Sequence, residues 1–185
     1  MRLTLHLVLG LLLLSVAGTS QKPPTTPPST TLQPTSLTPL SVYAGSWDMK
    51  SAHPMAGTGK IDHLVNHCHL DAAFYTCEQV VNGKPFTLVI FVPGQEPGHY
   101  YTQAVLANGR ATGRTSLIIA GNHWTYSGNG TDAAGKPAFY RTENYFTGAD
   151  AIHFEQYGSS DQKTWTKKDE GDEIRLKSSD LPAKN

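Results

Sequence analysis

The stretch CHLDAAFYTC, residues 68–77, decides the local fold more clearly than any other part of the chain. If Ala72 and Ala73 form a two-residue turn, the flanking residues pair as an antiparallel hairpin and Cys68 lies opposite Cys77. Counted outward from the turn, this pair is not hydrogen-bonded, so its Cα atoms come within about 4.5 Å, which a disulfide accepts. The stretch therefore predicts a β-hairpin closed by a structural Cys68–Cys77 disulfide.

The two faces of this hairpin differ in polarity, because successive side chains of a strand point to opposite sides. One face is mainly apolar, with Asn66 and Gln79 as its two polar members, and is predicted to face the core. Its members are Leu64, Asn66, Cys68, Leu70, Tyr75, Cys77, Gln79 and Val81. The other face is mainly polar; its members are His63, Val65, His67, His69, Thr76, Glu78, Val80 and Asn82. The histidines are therefore expected to face water.

The polar face also allows a metal site as an alternative. His67 and His69 project from the same side of one strand, and the predicted register places Glu78 opposite His67. Two imidazoles and a carboxylate form a known ligand set for zinc or non-haem iron. The simpler interpretation, which we prefer, is a solvated strand face with a cross-strand His67/Glu78 pair.

The same pattern of short β-branched and aromatic runs continues on both sides of the hairpin. Gly, Asn, Asp and Pro separate these runs about every ten residues, which is typical of an all-β sandwich or barrel. Ten strands are predicted, over residues 42–50, 58–70, 74–81, 86–92, 99–106, 110–120, 123–127, 137–146, 151–157 and 163–177, the last interrupted near Gly171. Within the last of these ranges, the charged residues 167–173 are interpreted as a solvated turn.

The connections between these strands are short, and short connections join antiparallel neighbours. Asn108-Gly109 is the strongest turn signal, because both residues tolerate positive φ. Closing such a meander removes its exposed edges. The predicted fold is a single antiparallel up-and-down β-barrel of about 8–10 strands. A β-sandwich is the alternative, but its Greek-key crossovers would need a long connection.

The predicted barrel occupies residues 41–177, which follow two segments of different composition. Residues 1–20 contain one Arg, an apolar run and a small-residue exit, the pattern of a secretory signal peptide. Residues 21–40 contain six Pro and six Thr, which predicts a disordered linker. Residues 178–185 are expected to be a disordered tail. The leader predicts an exported protein, periplasmic or extracellular, with no integral membrane span in the mature form.

Charge excludes several classes of partner. The chain has 15 Lys and Arg against 15 Asp and Glu, so its formal net charge is zero. A protein that binds nucleic acid or an anionic membrane surface needs a field of one sign. We therefore expect no nucleic-acid partner.

A glycine and a tryptophan open the first predicted strand, Gly45-Ser46-Trp47. This element resembles the G-x-W signature of the lipocalin and calycin superfamily, in which the Trp closes one end of the barrel, often against a basic side chain of the last strand. The resemblance implies that Arg175 is the basic partner of Trp47 at a barrel end.

A longer pattern is similar to a family of exported bacterial calycin-like domains of unknown function. It covers nearly all of residues 41–177 and consists of the cysteine hairpin followed by EQVVNG (78–83), GNHWTY (121–126), FYRT (139–142) and KTWT (163–166). The second lipocalin motif and the long C-terminal helix of that superfamily are absent from the sequence. The resemblance therefore implies the barrel fold but no catalytic residue and no named transport function.

Three functions are compatible with these features. The first, which we favour, is a binding module that holds a small apolar or amphipathic ligand inside the barrel. The second is a structural or envelope-interaction protein with a filled barrel. The third is an enzyme or a haem or metal protein that uses His67, His69 and Glu78, or another histidine. No nucleophile-elbow or phosphate-loop pattern occurs, so an enzyme is the least favoured of the three, and no cofactor is predicted.

Overall fold

The structure is a computed structural model that describes residues 35–177. The predicted signal peptide, residues 21–34 of the predicted linker and the predicted tail lie outside the described residues. A short 3-10 helix, Thr38–Tyr43, precedes ten strands. The strands are β1 (Gly45–Ser51), β2 (Asp62–Leu70), β3 (Tyr75–Val81), β4 (Lys84–Pro93), β5 (His99–Leu106), β6 (Thr115–Ala120), β7 (His123–Thr131), β8 (Pro137–Phe146), β9 (Ala151–Ser159) and β10 (Thr166–Arg175).

The ten strands form one closed antiparallel barrel in which each strand pairs with its neighbours in sequence and β1 also pairs with β10. Trp47 lies opposite Arg175 where the barrel closes. Closure gives every strand two partners, which removes the edges on which another chain could pair. The predicted all-β, up-and-down barrel is confirmed. No helix within residues 35–177 is long and apolar enough to cross a membrane.

The cysteine hairpin has the predicted register. The Asp71 N–H donates to the Phe74 carbonyl at 2.9 Å, so the turn lies at Ala72-Ala73. Cys68 lies opposite Cys77 and the two form a disulfide. Register in a strand fixes the face of every side chain. The same pairing buries Leu64, Cys77 and Val81 in the core and leaves the histidines of β2 exposed on the outer face.

The N-terminal boundary differs from the prediction. The predicted linker extends to Leu40 and the first strand begins at Val42, but residues 38–43 form the 3-10 helix and Leu40 is fully buried. Thr35 Oγ1 donates to the Glu96 carbonyl at 2.6 Å, and the Tyr100 hydroxyl donates to the Ser36 carbonyl at 2.5 Å. Ordered packing therefore begins no later than Thr35.

The 3-10 helix covers one end of the barrel, which we call the capped end. Its Tyr43 carbonyl accepts from Trp47 Nε1 at 3.1 Å, and Arg175 donates to the carbonyls of Val42 and Ala44. Leu37, Leu40, Val42 and Tyr43 pack on the buried core. The opposite end carries the β1–β2, β3–β4, β5–β6, β7–β8 and β9–β10 connections.

The last strand also differs from the prediction. β10 continues through Gly171, which pairs with Ser51 on one side and Phe154 on the other. The irregularity lies instead between Lys167 and Asp169. The interpretation of residues 167–173 as a solvated turn is therefore wrong, because these residues lie within a strand that closes the barrel.

Candidate ligand site inside the barrel

The interior of the barrel contains a cavity of about 320 Å³. Tyr43 of the 3-10 helix forms part of its wall at the capped end, and Thr115 and Tyr140, near the starts of β6 and β8, border it toward the opposite end. The wall mixes apolar and polar side chains: Tyr43, Leu64, Asn66, Cys77, Gln79, Val89, Phe91, Thr102, Thr115, Tyr126, Tyr140, Thr142, Asn144 and Glu173. The cavity is therefore amphipathic.

The floor of the cavity is built around Tyr43. Its hydroxyl lies 2.7 Å from the Tyr126 hydroxyl and accepts from Asn144 Nδ2 at 3.2 Å. Its ring packs edge-on against Trp124. Burial raises the pKa of both tyrosine hydroxyls well above the usual value, so both remain protonated and act as neutral polar groups.

A second polar chain crosses the wall beside this floor. Asn66 Nδ2 donates to the Tyr43 carbonyl at 3.0 Å, and Gln79 Nε2 donates to Asn66 Oδ1 at 3.0 Å. These are the two polar exceptions on the predicted core face of the hairpin. Their amides fix the 3-10 helix to β2 and β3, which keeps the cavity wall in one arrangement.

Glu173 is the charged side chain of this wall. It lies opposite Met49 of β1 and Ile152 of β9, and it is partly buried. Among the described residues that line the cavity, none carries a basic side chain that could pair with its carboxyl group. Burial raises the pKa of Glu173 to about 7, because the charged form loses hydration inside the barrel.

Tyr140 stands where the cavity approaches solvent. Its side chain is 40% exposed, and its hydroxyl lies 3.2 Å from Thr115 Oγ1. The ring occupies the space above Gly128, where a Cβ atom would come within 2.3 Å of Tyr140 Cζ. The absence of a side chain at Gly128 thus lets the Tyr140 ring lie against β7 at the edge of the cavity.

The structure brings together the residues predicted to close a barrel end. The Arg175 guanidinium carbon lies 4.1 Å from the centroid of the Trp47 ring, and Arg175 Nη1 would lie 2.8 Å from a Cβ added at Gly45. Gly45 has a φ of 118°, which favours glycine. All three residues lie at the capped end.

The residues of the alternative metal site are not assembled. His67 and His69 are exposed on the outer face of β2, and Glu78 is exposed opposite His67. Among residues 35–177, the group whose ligand atoms all lie within 4.8 Å of one another is His153, Glu155 and Glu170. The alternative site at His67, His69 and Glu78 is not among the groups of ligand atoms that the described residues bring within this distance.

The group on β9 and β10 is already neutralised by a lysine. Lys167 Nζ lies 2.5 Å from Glu155 Oε1 and 2.7 Å from Glu170 Oε2. His153 Nδ1 lies 2.9 Å from Asp172 Oδ1. A cation would have to displace the ammonium group, so we interpret this cluster as a surface ion-pair network.

Sequence reasoning did not identify Tyr43, Tyr126 or Glu173 as members of one site. Strand alternation was a usable signal for the last two, since Tyr126 shares a face with the buried Trp124 and Glu173 shares one with Arg175. No local pattern indicated that Tyr43 turns into the barrel from a helix.

Comparisons with known proteins give similar solved structures but no family. No protein-family model and no curated protein match the chain. A crystal structure of Rv2717c from M. tuberculosis is similar, with a TM-score of 0.49 and 14% sequence identity, over 76% of this chain and 97% of that one.

Proposed function

We propose that this protein is an exported, calycin-like binding domain that holds one small amphipathic molecule inside its barrel. The observation that carries the proposal is the cavity of about 320 Å³ with a mixed apolar and polar wall. A barrel that served only as a rigid surface would be expected to fill this space with side chains, because protein interiors are close-packed.

The volume favours a small ligand. Pockets for small molecules measure about 300 to 1,000 Å³, so this cavity is at the lower end of the range. It has the volume of roughly ten water molecules at about 30 Å³ each. A compact molecule with one ring and a short polar chain fits this space better than a long lipid chain.

The arrangement of the wall favours a ligand with two unlike ends. Leu64, Val89 and Phe91 offer apolar surface from β2 and β4. The hydroxyl groups of Tyr43 and Tyr126, together with the Glu173 carboxyl, provide a polar region at the floor. An apolar body and a polar head group would each find matching contacts, since specificity in such pockets comes from a few placed polar groups.

Export is supported by two independent features. The first 20 residues have the composition of a signal peptide. The Cys68–Cys77 disulfide suits an oxidising compartment such as the periplasm or the extracellular space.

The experiment that tests the proposal uses a probe of the right size, 2-phenylethanol, in calorimetric titrations of the purified protein. The variant Val89→Trp places a large ring in the cavity, because Val89 lines it. The matched control is Leu88→Trp, since Leu88 is the neighbouring residue of β4 and faces solvent with 37% exposure.

We expect saturable binding by the wild type and by Leu88→Trp, and loss of binding by Val89→Trp. Circular dichroism of both variants checks that the barrel is intact. If neither 2-phenylethanol nor any similarly sized amphipathic probe binds saturably, the barrel is not a binding module of this kind. If Val89→Trp binds as well as Leu88→Trp does, the ligand lies outside the cavity.

A further inference from the structure

The wall of the cavity contains one carboxyl group, that of Glu173, and no basic side chain of the described residues lines the cavity beside it. The Glu173 carboxyl points into the barrel from β10, and within residues 35–177 no basic side chain contributes to the wall. A buried carboxylate is costly unless something pairs with it. The protein therefore holds a group whose charged form is stabilised only when a further molecule supplies a donor.

The cross-strand partners of Glu173 and the tyrosines coupled to it carry no positive charge. The residues opposite it in the sheet are Met49 on β1 and Ile152 on β9. The titratable groups near it are the hydroxyls of Tyr43 and Tyr126, whose pKa values are raised first by burial and further by the Glu173 charge. Neither hydroxyl compensates the carboxylate with positive charge.

The nearest base on the same strand is committed elsewhere. Arg175 lies two residues further along β10, but its guanidinium stacks on Trp47 and donates to the carbonyls of Val42 and Ala44. It also pairs with Asp150 Oδ1 at 3.0 Å. Arg175 therefore closes the barrel end and leaves the Glu173 carboxyl free to meet a ligand.

We propose that the cavity selects a small primary amine, whose ammonium group binds the Glu173 carboxylate while its apolar body packs against Val89 and Phe91. This inference rests on the proposed function and names the chemical class of its ligand. The ammonium offers three donors, of which the carboxylate takes one or two and the tyrosine hydroxyl oxygens can accept the rest.

The same charge discriminates against anions. A carboxylic acid ligand would bring a second negative charge close to Glu173 in a region of low dielectric, where like charges repel strongly. A neutral alcohol would bind through apolar contacts and one hydrogen bond. The expected order of affinity is amine, then alcohol, then carboxylate.

The test compares three probes of similar shape by calorimetry: 2-phenylethylamine, 2-phenylethanol and 3-phenylpropionate. Each is titrated into the wild type, Glu173→Gln and the control Glu170→Gln, in which an exposed acid of the same strand is changed. At pH 8 we expect Glu173→Gln to bind the amine roughly ten- to a hundredfold more weakly than the wild type, as for loss of a hydrogen bond to a charged group. Binding of the alcohol should be nearly unchanged, and Glu170→Gln should behave as the wild type.

The pH dependence of the affinity for the amine provides a second test. A purely structural role of Glu173 would not produce such a dependence. The ammonium is charged throughout pH 6 to 8, whereas the Glu173 carboxyl has a pKa of about 7 and loses its proton across this range. Affinity for the amine should therefore rise from pH 6 to pH 8 in the wild type and stay level in Glu173→Gln. Affinity for the alcohol should show little change.

The outcomes separate this inference from the proposal on which it rests. If the alcohol binds but the amine binds no more tightly, or if Glu173→Gln weakens both equally, the amine assignment is wrong and the binding function remains. Tighter binding of 3-phenylpropionate than of the amine also overturns the assignment. If none of the three probes binds, the amine assignment fails, and the proposed function fails with it if no other amphipathic probe of similar size binds.

Discussion

Arg175 lies over the indole ring of Trp47, with 4.1 Å between the guanidinium carbon and the ring centroid, at the strand pair that closes the barrel. The same guanidinium donates to the carbonyls of Val42 and Ala44, so one side chain joins β10, β1 and the 3-10 helix. Because the planar fork of arginine makes both bonds while it stacks, lysine cannot replace it.

Replacement of Arg175 is therefore expected to loosen the capped end. Arg175→Met should lower the free energy of unfolding by about 2 to 4 kcal/mol, since it removes charge-assisted hydrogen bonds and a cation–π contact. Arg175→Lys should recover less than half of that loss. Urea unfolding followed by circular dichroism measures both values. The control Lys50→Met, at an exposed residue of β1, should change stability by no more than about 0.5 kcal/mol. Equal losses in the two methionine variants would contradict the role of Arg175.

The Glu173 carboxyl makes stability fall as pH rises. Its pKa is about 7 in the folded protein and about 4.5 in the unfolded chain, so the folded protein holds this proton to higher pH than the unfolded chain does. The contribution is complete below pH 4.5 and is lost as pH rises through about 7. Glu173→Gln should therefore be more stable than the wild type at pH 8, by on the order of 2 kcal/mol, and about as stable at pH 4.5.

Unfolding free energies measured from pH 4.5 to pH 8.5 test this prediction. Glu170→Gln serves as the control, because Glu170 is exposed and pairs with Lys167. A Glu173→Gln difference that does not change between the two ends of the range would show that the carboxyl is not held in a poorly hydrated place.

Asp62 produces the opposite pH dependence at the other end of the barrel. Its buried carboxylate accepts from the backbone N–H groups of Met55 and Ala56 at 2.6 and 2.7 Å, and from Asn82 Nδ2 at 2.7 Å. Burial raises the pKa of Asp62, but the bonds from Asn82, Met55 and Ala56 outweigh it, and the pKa lies below the usual value. The stabilisation is present above the unfolded pKa and is lost as pH falls through the folded one.

We expect Asp62→Asn to lose about 2 to 3 kcal/mol of stability at pH 7, because an amide cannot accept all three hydrogen bonds. The loss should shrink as pH falls below about 3.9, because there the Asp62 carboxyl of the unfolded chain takes up a proton before that of the folded protein does. Hydrogen exchange at Met55 and Ala56 should be faster in the variant. Unchanged exchange at these two amides would show that Asp62 does not hold the β1–β2 connection.

The strands and their faces were predictable because side-chain alternation and short turns are local properties. The cysteine hairpin shows this best: a turn at Ala72-Ala73 fixed both the disulfide and the outward direction of His67 and His69. The Trp47–Arg175 contact was predicted from a family resemblance, because no local pattern relates two residues so far apart in the chain.

The cavity was less predictable, because its floor depends on packing between distant segments. Residues 21–40 have a uniform Pro/Thr composition, which hid the fact that Leu37 and Leu40 anchor a helix on the core. Glu173 follows six residues of which five are charged, and the density of charge obscured the alternation that sends it inward. A polar interior contradicts the usual relation between polarity and exposure, so composition alone does not reveal it.

Gly171 is expected to be required for barrel closure. A Cβ atom there would lie 2.3 Å from the Lys50 carbonyl oxygen and 2.8 Å from Ser51 Cα, so alanine would force β1 and β10 apart. Gly171→Ala should cost about 1 to 3 kcal/mol, as overpacking usually does. The matched control is Gly130→Ala on β7, where an added Cβ meets nothing within 4 Å. Equal melting temperatures of the two variants in thermal unfolding would contradict this account of the β1–β10 contact.

The central claim, that the interior of the barrel is a ligand site, is tested most directly by intermolecular nuclear Overhauser effects between bound 2-phenylethylamine and the protein. We predict cross-peaks from the probe ring to the methyl groups of Val89 and Thr102, which line the cavity. Leu88, on the outer face of the same strand as Val89, should show none. Cross-peaks to Leu88 and other outer-face methyl groups alone, or none under saturating probe, would contradict the claim.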